Sequence, residues 1–161
     1  MIKEVTGDIL LTQAEAIVHG VAPNDDFKQG LALELRERWP SMYKDFRHFC
    51  HTHHPDPGEV WIWQGVGGVK IANLLTQEGA YGQGGKPGKA SLDYVNRALK
   101  NLRQEVESKG WKSLALTRLA TGVGGLDWSE VEPLLKKHLG DLNIPIFIYT
   151  TYKKGERAAE A

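Results

Sequence analysis

Four places in this chain carry residues able to do chemistry. The first is His19-Gly20-Val21-Ala22-Pro23-Asn24-Asp25-Asp26. An imidazole close to carboxylates, at the end of an apolar run, can move a proton to or from a bound water. His19, Asp25 and Asp26 are therefore candidate acid–base residues. Pro, Asn and Asp are also turn formers, and taken alone these residues read as a solvated turn. The second place is Thr121-Gly122-Val123-Gly124-Gly125-Leu126, which lies between an apolar run and a helical pattern. Its glycines can turn several amide N–H groups toward one point, and a following helix start adds positive potential, a combination that suits phosphate. A plain strand-to-helix turn is an equal alternative at this level.

The third place is His48-x-Cys50-His51-x-His53-His54. A tetrahedral zinc site needs a matching pair of ligands elsewhere, and none stands at the required spacing. Imidazoles at a helix end are favoured by the helix dipole, so no metal site is expected. Cys50 shares a helical face with Phe46 and Phe49 and is expected to be packed rather than reactive. The fourth place is Gly7-Asp8-Ile9-Leu10, where Asp8 by itself fits a turn between two short strands. Known nucleotide fingerprints fail. G-x-G-x-x-G would need glycine where Asp127 stands. A P-loop from Gly82 meets Pro87, and Gly88-Lys89-Ala90 lacks the hydroxyl that would hold magnesium.

The elements that must position these residues alternate along the chain. Residues 14–19 read as a strand. Leu31, Leu35 and Trp39 then follow at helical spacing until Pro40 ends the segment. Ser41 is the expected N-cap of a second helix with Met42, Phe46, Phe49 and Cys50 on one face. In a strand at 59–64, Val60 and Ile62 face one way and Trp61 and Trp63 the other. A turn at 65–68 leads to a strand at 69–75 and a glycine-rich loop at 79–88. Leu92, Val95, Leu99, Leu102 and Val106 mark the clearest helix, closed by Lys109-Gly110. A strand at 113–119 precedes the second glycine loop. A helix from Ser129 follows, with Glu132 completing a capping box and Gly140 as its stop. The last strand is expected at 144–149, with a frayed tail at 153–161.

Strand and helix in alternation argue for one layered α/β domain, and 161 residues leave no room for a second. In such sheets ligands lie beyond the carboxyl ends of the strands, where both glycine clusters fall. Lys and Arg number 20, as do Asp and Glu, so the net charge is zero, which argues against a protein that coats nucleic acid or an acidic membrane. One cysteine excludes an internal disulfide and fits a reducing compartment. No apolar leader or spanning stretch is present, so a cytoplasmic protein is expected. No heptad or exposed apolar stripe argues for self-association, and a monomer is expected.

Taken together, Gly7-Asp8-Ile9, the stretch from His19 to Gln29-Gly30-Leu31-Ala32, the loop from Thr121 to Asp127-Trp128, and Ile146-Phe147-Ile148-Tyr149-Thr150 resemble the macrodomain, an ADP-ribose-binding module. The loop forms are closest to the branch holding terminal ADP-ribose glycohydrolase, the DNA ADP-ribosyl glycohydrolase antitoxins and yeast-type ADP-ribose-phosphate phosphatase. The resemblance implies a three-layer α/β/α sandwich with a mixed central sheet over residues 1–152. It implies that Asp8 accepts the adenine amino group, that Ile9 contacts the ring and that Tyr149 lies near it. Thr121, Gly122, Val123, Gly124, Gly125 and Leu126 would hold the diphosphate. His19, Gly20, Gln29, Gly30, Leu31 and Ala32 would surround the distal ribose, with Thr76 and Gln77 beside it.

The implied activity is hydrolysis of an ADP-ribose derivative at the distal ribose, by de-ADP-ribosylation or dephosphorylation. The partner is ADP-ribose or an ADP-ribosylated protein, nucleic acid or small metabolite, and no cofactor is expected. A binding-only reader is the alternative. Related glycohydrolases place a lysine after the threonine of the strand preceding the long loop, where this chain has Thr76-Gln77. The glutamate-acting member has an aspartate where Gly124 stands. An amide neither titrates usefully nor forms an adduct with a ribose aldehyde, so water activated by His19, Asp25 or Asp26 is the expected chemistry.

Overall fold

The computed structural model describes residues 1–80 and 87–161; residues 81–86 of the glycine-rich loop lie outside the described residues. Ten elements of regular structure position the site. In chain order they are β1 (Ile2–Gly7), β2 (Ala16–Val21), α1 (Gly30–Arg38), α2 (Pro40–His53), β3 (Val60–Gln64), β4 (Lys70–Leu75), α3 (Leu92–Lys109), β5 (Leu114–Thr117), α4 (Trp128–Leu139) and β6 (Ile146–Tyr152). The strands form one sheet in the order β1-β6-β5-β2-β4-β3. Only β3 runs antiparallel, paired with β4 through the turn at 65–68. The sheet is therefore mixed.

Helices cover both faces. On one face α3 contributes Val95, Ala98, Leu99, Leu102 and Val106, and α4 contributes Val131, Leu135 and Leu139. These pack against Ala16, Val18, Ala72, Leu74, Leu114, Leu116, Ile146 and Ile148. On the other face Leu35 of α1 and Met42, Phe46 and Cys50 of α2 pack against Ile17, Val21, Ile71, Leu75 and Ala115. Burying each large aliphatic side chain contributes about 1.5–3 kcal/mol, so the spacing that marked α3 in the sequence is also what holds it down. The result is the three-layer sandwich that the resemblance implied.

Several local expectations are corrected. Strand β1 was not foreseen beyond a short strand near Asp8. It is an edge strand paired only with β6, and Lys3 and Glu4 on its exposed positions mask the apolar pattern. Strand β2 runs from Ala16 to Val21, so Gly20 and Val21 belong to the strand rather than to the loop after it. Ser41 is not the cap of α2. Pro40 occupies the first turn, where its missing N–H is harmless, and Trp39 stands at the cap. Helix α4 starts at Trp128 with Asp127 as the cap residue. Glu132 faces Lys136 at 3.7 Å instead of closing a box with Ser129, and Pro133 lies inside the helix.

Residues 153–161 carry no helix or strand and are tied back to the sheet edge. Lys153 N–H donates to Gly7 O at 3.0 Å, and Asp8 N–H to Glu156 O at 2.7 Å. The Glu160 carboxylate accepts from Thr12 Oγ1, from Gln13 N–H at 3.0 Å and from Tyr149 Oη.

Candidate functional site

The carboxyl ends of β2, β4 and β5 open into a cavity of about 400 Å3, a size suited to a small-molecule ligand. Three loops and the start of α1 wall it. The loop after β2 is held in a strained form: Asn24 and Phe27 both have positive φ, 58° and 54°. An aromatic cluster offsets that strain. The Phe27 ring is fully buried, 5.2 Å from Phe46, 5.5 Å from Tyr43 and 5.8 Å edge-on to His19. Arg36 lies over the Tyr43 ring at 4.1 Å and donates to the Asp26 carbonyl at 2.9 Å, which pins the loop from outside.

Asp25 fixes the same loop from inside. Its Oδ2 accepts Ala22 N–H at 3.1 Å and its Oδ1 accepts Phe27 N–H at 2.9 Å. Burial nevertheless pushes its carboxyl above the ordinary aspartate range, against these two bonds. Asp26 is freer. It accepts Lys28 N–H at 3.2 Å, and the Lys28 ammonium stands 4.0 Å from its other oxygen.

His19 is buried, with Nε2 2.6 Å from Asn73 Oδ1. Asn73 Nδ2 donates to Trp61 O at 3.3 Å, so its Oδ1 is the acceptor for a proton on His19 Nε2. That assigns the Nε2–H tautomer to the neutral ring. Burial drives the imidazole down to about 4, only partly offset by the Asn73 bond. His19 is thus neutral at physiological pH. Beside it Gly20 is a close approach: a Cβ there would lie 2.8 Å from Thr76 Oγ1.

A further part of the lining is the loop after β5. The amide N–H groups of Thr121, Gly122, Val123 and Gly124 have no hydrogen-bond acceptor among the described residues. Their loop is closed on its other side by Gly125 N–H to Gly122 O at 3.1 Å and Leu126 N–H to Ala120 O at 3.0 Å. Ala120 adopts φ 63°, and a Cβ on Gly124 would fall 2.6 Å from the Ala120 carbonyl. Only glycine lets the chain turn back here. Successive amides left free at a concave wall stabilise an anion.

Most of the residues picked out in the sequence therefore share one cavity. His19, Gly20, Asp25 and Asp26 line it, as do Gln29, Gly30, Leu31 and Ala32 at the start of α1. Gln77 and the loop from Thr121 to Gly124 complete this set. Gln77 is held by its own Nε2 bond to Gly88 O at 2.9 Å.

Others do not line the cavity. Thr76 is buried behind Gly20, with Oγ1 lacking a partner among the described residues. Gly125 and Leu126 serve the loop's closure. Ile9 packs in the core. Asp8 receives Leu10 N–H at 3.0 Å on one oxygen and Gly155 N–H at 2.9 Å on the other. Tyr149 is buried, and its hydroxyl donates to Glu160, which with burial raises its pKa.

Sequence reading missed Asn73, which only strand pairing brings to His19. It also missed Thr117 and Arg118 at the end of β5, which line the cavity. The signal available for Arg118 was its place just before the glycine loop. Among the described residues no three His, Cys, Asp or Glu side chains converge as metal ligands would. Cys50 is buried, on the packed face of α2.

Known proteins resemble this chain in sequence and fold. A family model for the macro domain matches residues 18–135. The DNA ADP-ribosyl glycohydrolase of Mycobacterium tuberculosis is 29% identical over 164 residues, covering 99% of this chain and 45% of its own length. A DNA ADP-ribosyl transferase–DNA ADP-ribosyl glycohydrolase fusion protein of Thermosipho africanus is 26% identical over 162 residues, covering 93% of this chain and 42% of its own length. The chain thus spans less than half the length of these curated relatives. Among solved structures, the macrodomain of Thermus aquaticus DarG aligns with a TM-score of 0.81 at 25% identity, over 93% of this chain and 98% of that one. The macrodomain of Mycobacterium tuberculosis DarG aligns at 0.82 and 26%, over 92% and 97%. With its sheet order, its paired loops and a family model covering most of its length, this chain belongs to the macro domain family.

Proposed function

We propose that this chain binds ADP-ribose in the cavity beyond β2, β4 and β5 and hydrolyses an ADP-ribose derivative at the distal ribose. The observation that carries this reading is that one cavity gathers two kinds of group. Four unbonded amides, Thr121 to Gly124, line it together with His19, Asp25 and Asp26. The amides suit a diphosphate, and the polar wall suits a sugar and a water. The relatives named DNA ADP-ribosyl glycohydrolase favour ADP-ribosylated DNA as the target. The buried single cysteine supports a cytoplasmic setting, and we take a monomer over residues 1–152 as the working unit.

In this reading Asp26 is the base. Both Asp25 oxygens are committed to the loop, and His19 has its Nε2 proton committed to Asn73. A water at Asp26 gives its proton to the carboxylate as its oxygen bonds to the anomeric carbon. The bond from that carbon to the target breaks, and the target leaves with the electron pair and takes up a proton. Amides at the diphosphate hold the ligand in register for this step.

A binding-only reader is the second reading, favoured by Gln77, an amide bonded to Gly88 O where related glycohydrolases place lysine. Calorimetry with ADP-ribose, followed by incubation with ADP-ribosylated DNA, ADP-ribosylated protein and ADP-ribose phosphate, separates the two. Binding with release of product from one of the three supports the hydrolase. Binding with no turnover selects the reader, and no binding removes both.

A further inference from the structure

Among the described residues lining the cavity, Arg118 is the one Lys or Arg side chain. It follows the last residue of β5, and only Leu119 and Ala120 separate it from the loop of free amides. Its backbone is fixed to that loop, since Thr121 Oγ1 donates to the Arg118 carbonyl at 2.8 Å. Its guanidinium makes no hydrogen bond, ion pair or ring contact with any described residue, although Arg118 is exposed and lines a cavity whose other charges, Asp25 and Asp26, are acidic. The arginines on the helices behave differently: Arg36 and Arg47 engage Tyr43, Arg38 lies over Trp39, Arg97 pairs with Asp93, and Arg103 with Asp141. Arg118 has no such structural engagement, and it sits where an anion would be held only by amide dipoles.

We infer that Arg118 is a ligand-binding residue that supplies the full positive charge against the phosphoryl oxygens cradled by Thr121 to Gly124, and so selects ligands with a diphosphate or a further phosphate over neutral sugars. Backbone dipoles carry fractional charge, whereas a guanidinium presents a whole charge and a planar fork of donors matched to phosphate. The carboxylates at the other end of the cavity keep a second anion away from the sugar end. This inference rests on the ADP-ribose reading for the identity of the ligand, but its charge argument needs only a diphosphate.

The test uses the intact chain and its Arg118→Gln and Arg118→Lys variants. Melting temperatures of the three should agree, because the side chain has no described partner to lose. By calorimetry at low salt, Arg118→Gln should raise the dissociation constant for ADP-ribose roughly tenfold or more, and Arg118→Lys should keep most of the affinity. The gap between wild type and Arg118→Gln should narrow at high salt, as screening weakens the charge that only the wild type holds. A phosphorus NMR titration with inorganic pyrophosphate supplies the second arm, where wild type should perturb the resonance and Arg118→Gln should not. Equal affinity of wild type and Arg118→Gln for ADP-ribose at both salt levels would overturn the inference. A pyrophosphate response that depends on Arg118, with no ADP-ribose binding by wild type, would support the charge role and overturn the ligand reading instead. No response of wild type to either probe overturns both.

Discussion

His19 and Asn73 are register partners across the parallel pairing of β2 and β4, and their side chains meet at 2.6 Å in a buried contact. A neutral imidazole at the cavity wall is the consequence, with a folded-state pKa near 4.

That contact makes stability depend on pH in a defined direction. His19 in the folded chain takes up its proton only near pH 4, whereas an unfolded histidine does so near 6.5. The unfolded chain therefore binds more protons between these values. The contribution of His19 is fully present above about pH 6.5 and is lost as pH falls toward 4, by up to about 3 kcal/mol. Asp25 acts with the opposite sign, because its raised pKa favours the folded state at lower pH, a benefit lost as pH rises above the ordinary aspartate value. Urea unfolding at intervals from pH 4 to 7 should show the acid loss in wild type and a flatter profile in His19→Gln. An unchanged slope in that variant would place the titrating group elsewhere.

Gly122 and Gly124 should respond differently to substitution. A Cβ on Gly122 meets nothing within 4 Å, while one on Gly124 would strike Ala120 O at 2.6 Å and the Ala90 Cβ at 2.9 Å. Gly124→Ala should thus destabilise by about 1–3 kcal/mol, as crowding of a packed site does. Gly122→Glu should leave the melting temperature close to wild type while placing a carboxylate among the amides that await an anion. ADP-ribose affinity measured by calorimetry should fall at least tenfold in Gly122→Glu. Full affinity there would show that the ligand does not use this loop.

Asp25 and Asp26 separate structure from chemistry. Asp25→Asn puts an NH2 group against one of two backbone N–H donors and should cost about 1–3 kcal/mol in chemical denaturation. Asp26→Asn loses only a 3.2 Å bond from Lys28 N–H and a weak 4.0 Å ion pair, and its stability should stay near wild type. If Asp26 is the base, turnover in Asp26→Asn should drop by about a hundredfold or more with KM little altered. Wild-type turnover in this variant would rule Asp26 out.

Asp8 and Glu160 both anchor residues 153–161, but only Asp8 is expected to meet the adenine. Asp8 receives Gly155 N–H, and Glu160 receives Thr12, Gln13 and Tyr149. Ala at either position should lower stability by about 1–3 kcal/mol and speed amide exchange across 153–161. ADP-ribose affinity should fall in Asp8→Ala alone. An equal loss in Glu160→Ala would mean that the segment, rather than the Asp8 carboxylate, shapes the ligand end.

The sequence by itself determined the periodic elements and the local turns. The spacing of Leu92, Val95, Leu99, Leu102 and Val106 marked α3, the apolar runs marked the inner strands, and glycine marked the two loops that border the cavity. Those signals are local, because helix period and turn chemistry are written within a few residues of one another. Edge strand β1 was masked by Lys3 and Glu4, and the caps of α2 and α4 turned on which residue holds the non-helical backbone. The tertiary structure decided everything that depends on strand order. The order β1-β6-β5-β2-β4-β3 places β2 between β5 and β4. That brings the loop of free amides, Arg118, Asp25 and Asp26 to one cavity, and sets Asn73 against His19. Contacts between residues so far apart in the chain arise from the pairing and packing of whole elements, which no short stretch of sequence encodes.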